Sequence, residues 1–174
     1  MDFKKEKGGN PGYTLVELIV VIAIMAVLVG VMSISIAMIF SQDANRAAVM
    51  IDDSLTETRM LSMSKSGTFV MIIHTKTDSS QNSIEITRNG SSYKTFSIDR
   101  NVLINMKKGG TTLNSPGSDI KIEFDKSTGN VKNVNGAGAT ADGLYEIESV
   151  AQRGNARTAK VYVVANTGRH YIEK

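Results

Sequence analysis

A single carboxylate stands at the start of the most apolar stretch of the chain, and its chemistry needs an explanation. Glu17 directly precedes Leu18–Phe40, a run of 23 residues without a charge. An ionised carboxylate in apolar surroundings costs free energy, so it is expected to have a partner or a function. No basic residue lies within a helical turn of Glu17, and we expect its partner to be an α-amino group. Cleavage between Gly12 and Tyr13 would create such a group four residues upstream.

The apolar run has the length of a membrane span. At about 1.5 Å per residue it covers about 35 Å, against about 30 Å for the hydrocarbon core of a bilayer. Lysines precede the run and acidic residues follow it, which places the N-terminus in the cytoplasm by the positive-inside rule. A secretory signal peptide has a shorter apolar stretch of about 7–15 residues, followed by a cleavage site of small residues. A plain signal-anchor and a processed membrane segment remain as alternatives.

The residues around Gly12 carry a resemblance to a known family. The string KGGNPGYTLVELIVVIAIMAVL resembles the cleavage and methylation motif of type IV prepilins and pseudopilins. The resemblance implies that a prepilin peptidase cuts after Gly12 and N-methylates Tyr13. It also implies that Glu17 pairs with the N-terminus of a neighbouring subunit during filament assembly. The implied partners are other pilin subunits in a helical filament, the prepilin peptidase, an inner-membrane assembly platform, and the cytoplasmic membrane before assembly.

One departure from the family pattern bears on the kind of subunit. Many major pilins carry a proline midway along the N-terminal helix, and the equivalent residue here is Ile34. The sequence therefore favours a minor pilin or pseudopilin of a type IV pilus or secretion filament, with a major pilin as an alternative. The expected localisation is the cytoplasmic membrane, in a single pass with the N-terminus inside, and then an extracytoplasmic filament or surface pilus.

Downstream of the apolar run the hydrophobic residues become periodic. Ala44, Ala48, Ile51 and Leu55 follow the spacing of an amphipathic helix. One helix is predicted from Thr14 to Ser66, and Gly67 is its expected stop. Beyond it the residues alternate as strands do, and Asn89-Gly90 predicts a type I′ hairpin turn. The predicted strands are Phe69–Thr75, Ser83–Arg88, Ser92–Ile98, Val102–Met106, Asp119–Phe124, Val131–Val134, Tyr145–Val150, Lys160–Ala165 and Arg169–Ile172.

These patterns and the resemblance predict an α+β pilin fold. A long N-terminal helix, half transmembrane and half amphipathic, is expected to pack on a mostly antiparallel β-sheet head. Residues 1–12 are the expected leader, and residues 13–40 the transmembrane or filament-core half-helix. The extracytoplasmic head is expected over residues 41–174, with its half-helix over 41–66 and its sheet over 67–174.

Three shorter segments add a finer resemblance. TRMLSMSKSGTFVMII, IEFDKSTGNV and VYVVANTGRHYIE are similar to parts of the H-type secretion pseudopilins and the FimT-type minor pilins. Both groups consist of filament subunits.

Residues for catalysis or metal binding are scarce. The chain has no cysteine, which excludes disulfides and thiolate chemistry. His74 and His170 lie far apart on predicted strands, where we expect them to be structural. Asp119, Glu123 and Asp125 lack the spacing of a calcium loop. No phosphate-binding loop, nucleophile elbow or zinc motif is present, so we expect no enzyme activity, no cofactor and no metal.

Basic residues accumulate near the C-terminus and raise the alternative of a DNA-binding competence pilin. The formal net charge of the chain is only +3, which argues against bulk coating of nucleic acid. In some FimT-type minor pilins a Gly-Arg segment near the C-terminus helps to bind DNA, and Thr167–His170 partly resembles it. Cations could contact phosphates while an aromatic ring stacks on a base. A solvated basic edge that discourages strand aggregation is the reading we favour. The candidate DNA contacts are Arg153, Arg157, Lys160, Arg169, Tyr171 and Lys174.

Overall fold

The structure is a computed structural model, and the chain divides into two compact units, Met1–Ile36 and Ala37–Lys174. For residues 31–41 the backbone alone is described. The residues described are 12–76, 81–99, 101–115, 117–140, 142–153 and 157–173.

Two helices are present in these residues. Helix α1 spans Leu15–Ser41 and helix α2 spans Asp43–Ser64, with Gln42 between them. Helix α1 coincides with the uncharged apolar run, which contains no proline and only one glycine, Gly30.

Helix α2 forms where apolar residues recur every three or four positions. That spacing places them on one face, and Ala44, Ala48, Ile51 and Leu55 are all fully buried. The helix ends because Lys65 adopts an extended conformation, while its N–H still donates to the carbonyl of Leu61 at 3.0 Å.

Eleven strands in the described residues form two antiparallel sheets. The first sheet has the order β3-β2-β1-β6-β7-β8 and the second has the order β11-β10-β9-β4-β5. The strands of the first sheet are β1 (Phe69–His74), β2 (Ser83–Arg88), β3 (Ser91–Ser97), β6 (Ile120–Phe124), β7 (Val131–Val134) and β8 (Ala137–Gly138). Those of the second sheet are β4 (Val102–Lys108), β5 (Thr111–Thr112), β9 (Leu144–Ala151), β10 (Thr158–Val164) and β11 (Arg169–Glu173).

The strands follow from period-two alternation of apolar and polar residues. In β1, Phe69, Met71 and Ile73 are buried, while the residues between them are half-buried. The β2–β3 turn has positive φ at both Asn89 (51°) and Gly90 (81°), as a type I′ hairpin requires.

The core lies where α2 meets the inner faces of both sheets. Ile51 and Leu55 of α2 belong to one buried cluster with Met71 of the first sheet and Ile147 and Val161 of the second. Each of these five side chains is fully buried.

The predicted pilin fold, with one long helix packed on one sheet, is wrong. The described chain is mostly β, with two helices and two separate sheets. Alternation within a strand sets which face is buried but not which strand it pairs with. The strands after Val102 divide between the sheets, because β6 pairs with β1 and β7 pairs with β6, whereas β4 pairs with β9.

The predicted transmembrane half-helix over residues 13–40 also requires correction. Within the described residues, neither α1 nor α2 combines the length and apolar character needed to span a bilayer.

Arg59 of α2 connects turns that belong to the two different sheets. Its Nε donates to the carbonyl of Gly129 in the β6–β7 turn, and its Nη2 donates to the carbonyl of Thr167 in the β10–β11 turn, both at 2.9 Å. The N–H of Val131 also donates to the carbonyl of Ala165 at 2.9 Å. The Arg59 side chain and the backbone hydrogen bond between Val131 and Ala165 therefore join the two sheets near the C-terminal end of α2.

Candidate functional site

Thr14 and Glu17 form a reciprocal pair of hydrogen bonds at the start of α1. The N–H of Thr14 donates to Oε2 of Glu17 at 3.1 Å, and the Thr14 hydroxyl donates to the same oxygen at 3.3 Å. In return, the N–H of Glu17 donates to the Thr14 hydroxyl at 3.2 Å. This is the capping box of a helix, with Thr14 as the N-cap residue.

The capping box gives Glu17 a partner, Thr14, which differs from the expected α-amino group. A negative charge in the first turn is stabilised by the helix dipole, and Glu17 supplies it here. Both bonds to the carboxylate use Oε2, and Oε1 has no donor among the described residues. The Thr-x-x-Glu spacing of residues 14–17 is itself the signal that predicts such a box.

The bond between Gly12 and Tyr13 lies directly before this cap. Both residues are outside the helix and exposed, and the Tyr13 side chain is 88% accessible. A Cβ added at Gly12 would meet no atom within 4 Å. The predicted cleavage site is therefore open to an enzyme, whereas the predicted leader lies outside the described residues except for Gly12.

The large apolar side chains of the described part of α1 are exposed on every side. Successive residues of an α-helix point about 100° apart, so four in a row cover its whole circumference. Leu18, Ile19, Val20 and Val21 are exposed by 56%, 56%, 50% and 54%. An apolar surface of this extent marks a site of interaction with another protein or with a membrane.

Three of the candidate DNA contacts lie on the outer face of the second sheet. Lys160 and Tyr162 of β10 share this face with Arg169 and Tyr171 of β11, because Tyr162 is opposite Tyr171 and the side chains alternate. The rings of Tyr162 and Tyr171 stack with centroids 5.3 Å apart. Arg169 and Tyr171 therefore share a face.

Carboxylates neutralise the lysine of this face. Lys160 Nζ lies 2.8 Å from Glu146 and 3.7 Å from Glu148, and the hydrogen bond to Glu146 raises the pKa of Lys160. Glu148 also pairs with Lys107 at 2.5 Å. Glu146 and Glu148 therefore neutralise the charge of Lys160, which makes Lys160 a poor contact for phosphate.

The other candidate contacts lie elsewhere. Arg153 and Arg157 are exposed beside the start of β10, and Arg169 lies opposite its last residue, Val164. At about 3.3 Å per residue, Arg157 and Arg169 are about 20 Å apart. Lys174 lies outside the described residues. The structure therefore does not bring the predicted set together.

The two histidines connect neighbouring elements. His74 lies between two carboxylates, with Nδ1 3.0 Å from Asp119 and Nε2 3.1 Å from Glu85. His170 Nε2 lies 2.8 Å from the Thr56 hydroxyl of α2. The residues that the structure describes contain no group of three or more metal-binding side chains placed to hold an ion.

Comparisons with protein families, curated proteins and solved structures give no match for this chain. The interpretation of the site therefore depends on its residues and their geometry.

Proposed function

We propose that the chain is a structural subunit, a minor pilin or pseudopilin, of a type IV pilus or related secretion filament. One observation carries the proposal. The described part of α1 exposes apolar side chains around its whole circumference and carries Glu17 in its first turn, which Thr14 caps, and the bond between Gly12 and Tyr13 of a prepilin-like motif lies next to that cap.

Association of α1 helices from several subunits supplies the free energy of assembly. Burying one exposed Val, Leu or Ile side chain contributes about 1.5–3 kcal/mol, so burying four of them contributes about 6–12 kcal/mol. The described part of α1 exposes at least twelve large apolar side chains, from Leu15 to Val29. Assembly is the outcome that removes this surface from water.

Glu17 sets the relative position of the packed helices in this proposal. A carboxylate among apolar helices loses its hydration and needs a charged partner. Cleavage after Gly12 creates an ammonium group on Tyr13, and the Oε1 atom of a neighbouring subunit's Glu17 is available to accept from it. The partners are other subunits and the prepilin peptidase, and the location is an extracytoplasmic filament reached from the cytoplasmic membrane.

Mass spectrometry of the N-terminal peptide tests the proposal in a host with prepilin peptidase. We expect a mature chain that begins with N-methyl-Tyr13. A Gly12→Val variant is the control, because a side chain at Gly12 meets no neighbouring atom and should leave the fold intact while it blocks cleavage. Recovery of wild-type protein that still begins at Met1 would show that the chain is not a prepilin.

A further inference from the structure

Strand β3 forms an open edge of the first sheet. It is the last strand in the order of that sheet and pairs with β2 on one side only. The N–H of Ile98, just after β3, donates to the carbonyl of Asn82 at 2.8 Å, so the backbone of Ile98 faces β2. Hydrogen bonding alternates along an antiparallel strand, and the backbone groups of Thr95 and Ser97 therefore point to the free edge. No other element of the described chain donates to them or accepts from them.

A groove lies beside this edge, between β3 and α2. Its volume is about 260 Å³. Residues of α2 and of β3 line it, namely Met50, Asp53, Ser54, Glu57, Lys94 and Phe96. Binding sites for whole small molecules usually have volumes of about 300–1,000 Å³, so this groove is better suited to one or two side chains of a larger partner.

Contacts between α2 and β3 hold the walls of the groove together. Lys94 Nζ lies 2.9 Å and 2.8 Å from the two carboxylate oxygens of Glu57, and 4.6 Å from the centroid of the Phe96 ring. Lys94 and Phe96 lie opposite Ile86 and Ile84, which are both fully buried. Side chains opposite each other in a sheet share a face, so Lys94 and Phe96 point towards α2. A strand added to β3 would point every second side chain to this same face.

The groove has an apolar part and an acidic part. Met50 and Phe96 supply the apolar part, and both side chains are only partly buried. Lys94 neutralises Glu57, whereas Asp53 is exposed and forms no ion pair within 4.0 Å in the described residues. A matching partner therefore offers one apolar side chain and one cation on the same face of a strand, which means two positions apart.

We propose that the free edge of β3 binds an extended segment of a partner protein, in which a basic residue follows an apolar residue two positions later. In this mode of recognition, main-chain hydrogen bonds give affinity and pockets for alternate side chains give specificity. The backbone of the segment bonds to Thr95 and Ser97. Its apolar side chain packs between Met50 and Phe96, and its basic side chain pairs with Asp53.

A second copy of β3 is a poorer match for this edge. Lys94 is the middle residue of β3, so antiparallel pairing of two such strands about their centres places one Lys94 opposite the other. Like charges directly opposite each other destabilise a sheet. The proposed docking site goes beyond filament assembly, because it uses neither α1 nor cleavage after Gly12.

A synthetic peptide titrated into the full chain, in a mild detergent that covers α1, tests the proposal. The peptide is a run of seven threonines, which favour strands, with Leu replacing the third and Lys the fifth. A matched peptide carries Glu in place of Lys. We expect the Lys peptide to bind about five-fold more tightly than the Glu peptide. On binding, the amide hydrogens of Thr95 and Ser97 should become protected from hydrogen exchange.

Two variants of the chain separate the backbone contribution from the charge contribution. Thr95→Pro removes the N–H at the free edge, where proline is tolerated, and should weaken binding of the Lys peptide about tenfold. Thr95→Ala keeps this N–H and should bind as the wild type does. Asp53→Lys should reverse the preference between the two peptides, and it tests the proposal even if Thr95→Pro does not fold, because Asp53 is exposed. Its matched control, Glu173→Lys, makes the same charge change on the edge strand of the second sheet and should keep the wild-type preference.

A dissociation constant weaker than about 1 mM for the Lys peptide would overturn the proposal. An unchanged peptide preference in Asp53→Lys, or an equal change in Glu173→Lys, would overturn it too. Protection of Thr95 and Ser97 that rises with protein concentration in the absence of peptide would assign the edge to a second copy of the chain instead. None of these outcomes alters the N-terminal peptide by which the filament proposal is judged.

Discussion

Replacing Gly168 by Ala should be among the most destabilising single-methyl additions in this protein. Gly168 is buried in the β10–β11 turn with φ of +62°, and a Cβ there would lie 1.9 Å from the carbonyl oxygen of Gly129 and 3.0 Å from Arg59 Nε. Backbone that belongs to the other sheet must move to admit the methyl group. That movement displaces the carbonyl to which Arg59 donates.

The expected loss has three parts. A left-handed backbone costs an alanine roughly 1 kcal/mol. Overpacking a closed contact costs about 2 kcal/mol, and losing the charged hydrogen bond from Arg59 to Gly129 costs about 2 kcal/mol. The sum is about 5 kcal/mol, which corresponds to a fall in Tm of about 10–20 °C for a domain of this size.

Thermal unfolding of the full chain, followed by circular dichroism, measures the effect. Gly109→Ala is the matched control, because Gly109 has φ of +56° and no atom within 4 Å of an added Cβ. It should lose only the backbone contribution, about 1 kcal/mol. Equal losses of unfolding free energy in the two variants would contradict this expectation. They would show that Gly129 leaves room for a methyl group at Gly168.

Three further outcomes are expected. Leu55→Ala removes a fully buried side chain and should cost about 2–5 kcal/mol in urea unfolding, and a loss below 1 kcal/mol would contradict the described core. The pKa of Asp125 is lowered from 3.8 to about 2, so its stabilising effect is complete above about pH 4 and is lost as the pH falls towards 2. Asp125→Asn should abolish that part of the acid dependence in melts between pH 2 and 5, and an unchanged profile would show that other groups cause it. Glu17→Gln keeps an oxygen for the capping box with Thr14 but removes the charge, so the variant should be cleaved normally and be missing from sheared filaments. Wild-type amounts of it in filaments would exclude a role of the charge in assembly.

Local structure in the head could be read from the sequence, because period-two alternation is strong there. The predicted strands Ser83–Arg88 and Val131–Val134 coincide with β2 and β7, and the Asn89-Gly90 turn has the backbone that its residues require. Strands β5 and β8 were missed because each has only two residues, too few to show alternation.

Strand pairing could not be read in this way. Residue Ile72 of β1 lies opposite Lys121, which is 49 positions away, and no local pattern encodes that pairing. The division into two sheets depends on such pairings. The neutralisation of Lys160 follows from them too, because it requires β9 and β10 to lie side by side so that Glu146 and Glu148 reach the lysine.

The candidate assembly site stays a prediction, which depends on residue types at fixed spacing. Glu17 stands out as the charge that directly precedes the apolar run, and Gly12 and Tyr13 are predicted from the motif. The Thr-x-x-Glu spacing also predicts the bond between the Thr14 hydroxyl and Glu17, because a capping box needs these residue types three positions apart.

The bonds of Arg59 have a consequence for the kinetics of folding. They connect residues 70 and 108 positions apart in the chain, so they close long loops and require both sheets to be in place. Closing loops of this length costs conformational entropy, so we expect the two bonds to form after the transition state. Interactions that are absent from the transition state slow unfolding without speeding folding. We therefore expect the Arg59 guanidinium to slow unfolding of the head more than it speeds folding.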